Sequence, residues 1–359
     1  MTSKIVGLQN LGNTCFLNSC SQVLLHTPEL ESVYKSFFVR LSKIQNIPEA
    51  QIFSHWIKLF NETQSSEKSY VNPLAFVSQI HQLAKLKNRE LFTGWAQNDM
   101  PEFLLFFIES LHECVSRPVK MNINGNSQTH VDTLALKCYE MLGEIYKKEY
   151  SEIMELFYGL YVSEIFSNQI ESLSDELVDN PPANFPRLSV KPEHYFMLDL
   201  PIPTRPKSHK VELMECFDEF VQMDTLYTQE NNGWYNEITK TYQDAYKRIQ
   251  FWNFPKILVV TLKRFSYDGK KLERMVKYPV RDLDLSKYVC GYNPQSYKYD
   301  LYGVCNHFGT TMGGHYTSFV KNANGQWYHC NDSQVTPIVN ENDVVTQYAY
   351  CLFYRKKNQ

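Results

Sequence analysis

Cys15, His315 and an amide or carboxylate at positions 331–332 have the types and surroundings to run one reaction, although they stand far apart in the chain. Cys15 follows Gly12-Asn13-Thr14 and opens the run Phe16-Leu17-Asn18-Ser19-Cys20, in which positions 16, 20, 23 and 24 share one helical face. A cysteine at the start of a helix meets free backbone N–H groups and the positive end of the helix dipole, and both favour a thiolate. Gly12 allows close backbone approach just before it. Taken singly, such a cysteine reads as a buried helix residue. It becomes a nucleophile when a histidine can reach it.

The histidine is offered by His307-Phe308-Gly309-Thr310-Thr311-Met312-Gly313-Gly314-His315-Tyr316, where two histidines flank a glycine-rich turn that enters a strand. Gly313-Gly314 leaves room for the backbone of another chain, and His315 is the candidate base. A turn at Asn324-Gly325 then leads into Trp327-Tyr328-His329-Cys330-Asn331-Asp332-Ser333. A hairpin would set Asn331 or Asp332 beside His315, where either orients the imidazole through Nδ1, as in papain-like hydrolysis. Asn10 lies five residues before Cys15, and its amide is a candidate donor to the oxyanion formed when a thiolate attacks a carbonyl. The Cys15 N–H is a second candidate. By itself Asn10 also reads as an ordinary turn asparagine.

These residues need elements to position them. The helix at Cys15–Leu25 has Thr14 or Asn13 as expected N-cap and Pro28 past its end. Helical patterns continue through Ile52–Phe60, Pro73–Ala84, Pro101–Leu111 and Lys137–Tyr158, the last with Met141, Ile145, Tyr150, Ile153 and Phe157 near helical spacing. Met121–Val131 and the proline-containing Ser172–Lys191 read as loops. The second half turns to strands at Tyr195–Leu200, Ile257–Leu262, Tyr297–Val304, Tyr316–Lys321, Trp327–Cys330 and Tyr348–Tyr354, with turn signals at Tyr267-Asp268-Gly269-Lys270 and Asn324-Gly325. Helices first and strands later predict an α+β fold. There are no internal repeats.

Composition narrows the classes. The 359 residues are 43% hydrophobic and 21% charged, as in an ordinary globular protein. A net charge of −3 gives no footprint for nucleic acid. No apolar run is long enough to cross a membrane, and the start lacks the apolar core of a secretion signal. Nine cysteines without a disulfide-framework spacing suit a reducing, intracellular compartment, and most of them read as small core residues. The 24 Tyr and 22 Phe serve packing or line a protein-binding surface.

Together, long motifs in fixed order resemble the ubiquitin-specific proteases. Gly7-Leu8-Gln9-Asn10-Leu11-Gly12-Asn13-Thr14-Cys15-Phe16-Leu17-Asn18-Ser19 is similar to their Cys box, and His307–Tyr316 with Trp327–Val335 to their His box. Between them come Gln97-Asn98-Asp99-Met100-Pro101-Glu102-Phe103, Leu198-Asp199-Leu200-Pro201 and Phe254-Pro255-Lys256-Ile257-Leu258 with Leu262-Lys263-Arg264-Phe265; the resemblance spans about residues 5 to 355. It implies one catalytic domain with a papain-like thumb, palm and fingers. The helical thumb would cover about 1–155, the fingers about 156–172 and 221–250, and the palm about 190–220 and 251–356. Ubiquitin would rest on the fingers with its Leu-Arg-Gly-Gly tail in the cleft. The implied reaction is thiol-dependent hydrolysis of the isopeptide after ubiquitin's terminal glycine, on ubiquitinated proteins, in cytoplasm or nucleus. The implied roles are Cys15 as nucleophile, His315 as base, Asn331 as third member of the triad with Asp332 as helper or partial replacement, and Asn10 at the oxyanion. Gln97, Asp99 and Glu102 resemble residues that contact the tail or organise the cleft, an acid there suiting the tail's arginines. Phe265, His307 and Tyr316 resemble residues lining it, with palm core as the competing reading for Phe265 and Tyr316.

The sequence also departs from the family pattern. Many members hold the fingertips with zinc through two Cys-x-x-Cys pairs, but the corresponding positions are Ser167 and Ile170, and Asn236 and Thr239. None supplies a thiolate, so no metal and no cofactor is expected, and Trp234, Tyr235 and Tyr242 are expected to hold the fingers by packing. Met100-Pro101 stands where many members carry a small residue and Gln, so a tail contact from position 101 is expected to be lost. Pro101 still suits the first turn of a helix. No further domain is expected to flank the catalytic region, so targeting falls to that region or to a partner. Two other readings remain open: a protease for a ubiquitin-like modifier, and an inert ubiquitin-binding module.

Overall fold

The computed structural model describes residues 5–44, 46–174, 181–182, 184–204, 210–266, 269–310 and 313–357. Residues 1–4 of the start, 175–180 and 183 of the expected loop, 267–268 of the expected turn, and 311–312 of the glycine-rich turn lie outside the described residues.

The N-terminal part is helical, as the apolar spacing predicts: β1 (Gly7–Leu8), α1 (Cys15–Leu25), α2 (Glu31–Ile44), α3 (Pro48–Ser65), β2 (Tyr70–Val71), α4 (Leu74–Leu86), α5 (Met100–Val115), α6 (His130–Glu149) and α7 (Glu152–Phe157). Strands dominate the rest: β3 (Gly159–Phe166), β4 (Ser189–Tyr195), β5 (Met197–Leu200), β6 (Val211–Glu212), then α8 (Leu213–Val221), β7 (Asp224–Leu226), β8 (Trp234–Asn236), β9 (Thr241–Gln243), β10 (Ala245–Asn253), β11 (Ile257–Leu262), β12 (Val276–Lys277), β13 (Leu283–Asp284), β14 (Lys298–Thr310), β15 (Gly313–Lys321), β16 (Trp327–Asn331), β17 (Gln334–Ile338) and β18 (Ala349–Lys356). The α+β class follows.

Every residue of α1 is buried. A helix buried all round is a central core element; α1 lies between α5 and one face of the large sheet. Some of its polar atoms find partners within that core, Gln22 Nε2 donating to Val6 O at 2.9 Å and Ser19 Oγ to Phe16 O at 3.0 Å, while Ser21 Oγ and Gln22 Oε1 are buried without one among the described residues. The large sheet runs β17-β16-β15-β14-β18-β11-β5, antiparallel except for the β11–β5 pair. Period-two alternation divides β11 cleanly. Ile257 and Val259 join the helical core, while Leu258, Val260 and Leu262 join a second core under α8. A smaller sheet, β4-β3-β10-β7, projects beside it. There Glu164, fully buried, bonds Arg248 Nη2 at 2.6 Å and pairs with Arg187. Both guanidinium groups stack over Phe166.

Two sequence expectations are corrected, and one helix was not foreseen. Lys137–Tyr158 is not one helix. The backbone of Tyr150 instead pairs with Arg117, with N–O distances of 2.8 and 2.9 Å, and Ser151 caps a new helix by accepting from Met154 N. Met121–Val131 is not loop to its end, because Thr129 and Asp132 form a capping box that starts α6 at His130. Helix α2 had no predicted counterpart. Among the described residues no helix is long and apolar enough to cross a membrane.

Candidate active site

The loop before α1 is folded on one carbonyl oxygen. Asn10 Oδ1 accepts from Gly12 N at 3.0 Å and from Thr14 N and Oγ1 at 3.2 Å. Gly12 sits at φ +90° and Asn13 at +52°, so the tight turn needs residues that tolerate the left-handed region. Thr14 occupies the expected N-cap position, but its hydroxyl serves Asn10 and Leu11 N and makes no cap bond to the helix. The first N–H groups of α1 therefore stay available. Those of Cys15 and Phe16 reach the Cys15 sulfur, as does the N–H of Tyr316 from β15. Burial nonetheless pushes the thiol above its ordinary pKa, and the nearby Asp332 carboxylate adds to the rise, against these N–H groups. The resting form is a thiol.

The residue before Tyr316 is His315. Its Nε2 lies 2.7 Å from Asn331 Oδ1 on β16. The hairpin register, Ser318 opposite Cys330 and Lys321 opposite Trp327, produces this meeting. The contact is at Nε2, not at the Nδ1 expected from the sequence. With Nε2–H donating to Asn331, Nδ1 is left as the basic nitrogen.

Asp332 does something the sequence did not disclose. Its Oδ2 accepts from Asn10 Nδ2 at 2.9 Å and its Oδ1 from Asn18 Nδ2 at 2.7 Å. Asn18 is buried on α1, and its Nδ2 also lies 3.3 Å from Leu8 O and Gln9 O. Both partners of Asp332 are donors, so an acceptor-only carboxylate suits the place. Since Asn10 Oδ1 is committed to the loop, its amide has one orientation, with one N–H on Asp332 and the other free among the described residues.

Beside this centre is a cleft cavity of about 410 Å³, lined by Gln97, Asp99, Phe265, His307, Gly313, Tyr316 and Tyr350 among others. Its floor is aromatic. His307 lies 4.6 Å from the Tyr316 ring and 5.4 Å from Phe265, and Phe265 lies 5.5 Å from Tyr350. Lys271 Nζ stands 3.1 Å from His307 Nδ1 and donates to His307 O at 2.7 Å. Burial and this ammonium push His307 down to about 4, so the ring is neutral. Asp99 precedes α5 and takes the hydroxyls of Tyr316 at 3.0 Å and Tyr350 at 3.3 Å. Burial pushes its carboxyl up to about 6, against those two hydroxyls and with help from Glu102. Gln97 bridges to Gly314, Nε2 to the carbonyl at 2.7 Å and Oε1 from the N–H at 3.1 Å.

The structure thus brings together Asn10, Cys15, Tyr316, His315, Asn331 and Asp332, and sets Gln97, Asp99, Phe265 and His307 around the adjoining cavity. Glu102 is exposed on the first turn of α5 outside the cavity lining, with its charge close enough to act on Asp99. Asn18, Lys271 and Tyr350 were missed. No local signal set Asn18 apart, because α1 also carries Ser19, Ser21 and Gln22. Nothing in the sequence distinguished Lys271 or Tyr350 from their neighbours. Among the described residues no group of three or more His, Cys, Asp or Glu side chains could hold a metal ion.

Known proteins resemble this chain over nearly its whole length. The family description "Ubiquitin carboxyl-terminal hydrolase" matches residues 6–354. Ubiquitin carboxyl-terminal hydrolase 2 of Bos taurus is 33% identical over 357 residues, covering 98% of this chain and 55% of that protein. Usp2 of Drosophila melanogaster is 30% identical over 359 residues, covering 98% of this chain and 35% of its own length. The chain therefore spans about half or less of these relatives. Among solved structures, the SAGA Ubp8/Sgf11/Sus1/Sgf73 DUB module bound to ubiquitin aldehyde superposes with a TM-score of 0.68 at 23% identity, covering 99% of this chain and 70% of that one. At that identity the likeness speaks for the fold.

Proposed function

This chain belongs to the ubiquitin carboxyl-terminal hydrolase family, and we propose that it hydrolyses the isopeptide bond after the C-terminal glycine of ubiquitin on ubiquitinated proteins. The observation that carries this reading is the meeting of α1 and β15, where the Cys15 sulfur lies against the Tyr316 N–H, next in the chain to an imidazole held by Asn331.

In the proposed reaction, His315 takes the Cys15 proton as the sulfur bonds to the carbonyl carbon. The free N–H of Asn10 and the Cys15 N–H stabilise the oxyanion. The carbon–nitrogen bond breaks, the lysine amine leaves with the proton from His315, and a thioester remains. Water, losing a proton to His315, then releases the ubiquitin carboxylate and the thiol. Asn331 orients the imidazole, and Asp332 holds Asn10. The cavity takes the tail, with Asp99 and the exposed Glu102 offering negative charge to its arginines and Phe265, His307 and Tyr316 forming the floor. Gln97 stands at its mouth.

In the same reading the helices up to α7 form the thumb, the large sheet with α8 the palm, and β3, β7, β8, β9 and β10 the fingers. The fingers are held without zinc. The ring contact of Tyr235 with Tyr242, 5.1 Å between centroids, supports this at the tip, and the buried Glu164 with its two arginines supports it at the base. Nine free thiols, Cys290 half-buried and the others buried, suit a reducing, intracellular setting.

The test is turnover of isopeptide-linked di-ubiquitin beside matched substrates built on ubiquitin-like modifiers. Cleavage of the ubiquitin substrate by the wild type and not by Cys15→Ala is expected. Cleavage only of another modifier, or ubiquitin binding without any cleavage, would replace this reading.

A further inference from the structure

The strand that carries His315 has an open edge. β16 pairs with β15 only along Ser318–Lys321, so residues 313–317 meet no strand on the side facing α1. Gly314 stands opposite Gly309 of β14, and its N–H and C=O both point to the open side, where Gln97 receives them. Two residues on, the Tyr316 N–H points the same way and meets the Cys15 sulfur. At ~3.4 Å per residue these positions are about 7 Å apart along one edge. An extended peptide added to this edge would pair at Gly314 and run toward the sulfur. The strand is bare there for a reason. A Cβ on Gly314 would fall 2.0 Å from Phe308 O and 2.6 Å from His307 Nε2.

Gln97 already makes the bonds such a peptide would make. Its primary amide is a truncated peptide group, with Nε2 donating to Gly314 O at 2.7 Å and Oε1 accepting from Gly314 N at 3.1 Å. The loop carrying it is tied down on both sides. Asn13 Nδ2 donates to Trp95 O at 3.1 Å, and Asp99 receives the Tyr316 and Tyr350 hydroxyls. Gln97 is only half-buried, so its amide can leave Gly314 by rotation into water without moving the loop.

We propose that Gln97 is a latch: its side-chain amide occupies the strand-pairing site at Gly314 and must swing away before the glycine-ended tail of ubiquitin can add to the edge. This rests on the function proposed above. It opposes the simpler reading of Gln97 as a tail contact, because the two give opposite signs. Two half-exposed hydrogen bonds that must open first lower apparent tail affinity on the order of threefold to tenfold.

The experiment uses the full chain with Cys15→Ala, so that no turnover intervenes. Binding of ubiquitin, and of ubiquitin lacking its last four residues, is measured with Gln97 intact and with Gln97→Ala or Gln97→Met, the latter keeping the bulk. Amide hydrogen exchange at Gly314 is measured without ubiquitin. A latch predicts threefold to tenfold tighter binding of intact ubiquitin in both variants, no change for the truncated form, and faster exchange at Gly314. Weaker binding of intact ubiquitin, or equal tightening of both forms, overturns the latch. If no variant binds ubiquitin, the proposed function fails, and unchanged exchange at Gly314 would separately sink the latch.

Discussion

Replacing Asp332 with alanine separates two effects that a shared triad role would merge. The carboxylate holds Asn10 Nδ2 at 2.9 Å and Asn18 Nδ2 at 2.7 Å. Complete loss of an oxyanion donor costs about 10²–10³ in kcat, or about 2.7–4 kcal/mol. Asp332→Ala removes less, because the Asn10 carbonyl stays pinned by Gly12 and Thr14. Of the two charge-assisted hydrogen bonds lost, only the one to Asn10 bears on the oxyanion, about 1.5–3 kcal/mol, so kcat should fall about 10- to 100-fold. Asp332→Asn should fare little better, since its NH2 would replace one of the two accepting oxygens and face a donor amide. The thiol moves the other way. Asp332 contributes to the raised pKa of Cys15, so its removal lowers that pKa and speeds iodoacetamide alkylation of Cys15 at neutral pH.

The assay is kcat on ubiquitin-amide substrate together with alkylation rate, for the single variants and for Asp332→Ala combined with Asn10→Ala and with Asn331→Ala. Groups that act through one another are non-additive. Asp332→Ala should add little to Asn10→Ala and should add fully to Asn331→Ala. Full additivity with Asn10→Ala, or slower alkylation, would refute the assignment of Asp332 to Asn10.

The other expectations follow from neighbouring groups. Asp99, pushed up to about 6, is neutral at pH 5 and charged at pH 7, so ubiquitin affinity should rise across that range, and Asp99→Asn should weaken binding at pH 7 and flatten the profile. A raised carboxyl pKa stabilises the fold below the ordinary carboxylate range and loses that contribution as pH rises through 6; Asp99→Asn should remove this component of the pH–stability curve, read by urea unfolding. Gly314→Ala forces a Cβ to 2.0 Å from Phe308 O, which should cost about 1–3 kcal/mol in unfolding free energy and abolish turnover. Glu164→Ala removes the carboxylate that the buried Arg187 and Arg248 share, which should cost about 3–5 kcal/mol by the same measurement while kcat of the folded protein stays unchanged.

The sequence disclosed the site's cast more fully than its wiring. Cys15 at a helix start, the Gly313-Gly314 strand entry and the turn at Asn324-Gly325 are local signals, and each stands where the pattern put it. Whether Asn331 or Asp332 faces His315 depends on hairpin register and on the φ of +51° at Asp332, which turns that carboxylate toward α1. No local pattern encodes such a choice. Tyr350 joins the cleft only because β18 pairs with β14, a contact between distant segments. The break at Tyr150 was hidden because its apolar spacing continues the helical face, while the Arg117 backbone that ends the helix comes from an earlier loop. The start of α6 was legible in Thr129 and Asp132, but the polar stretch before them masked it.

The central claim is that Cys15 attacks the carbonyl at the end of ubiquitin. The most direct measurement is reaction of the purified protein with ubiquitin carrying a C-terminal electrophile, followed by mass mapping of the adduct, with Cys15→Ala alongside. A single adduct on Cys15, absent from the variant, is the predicted result. An adduct on another of the nine cysteines, or none from a wild-type protein that binds ubiquitin, would contradict the account.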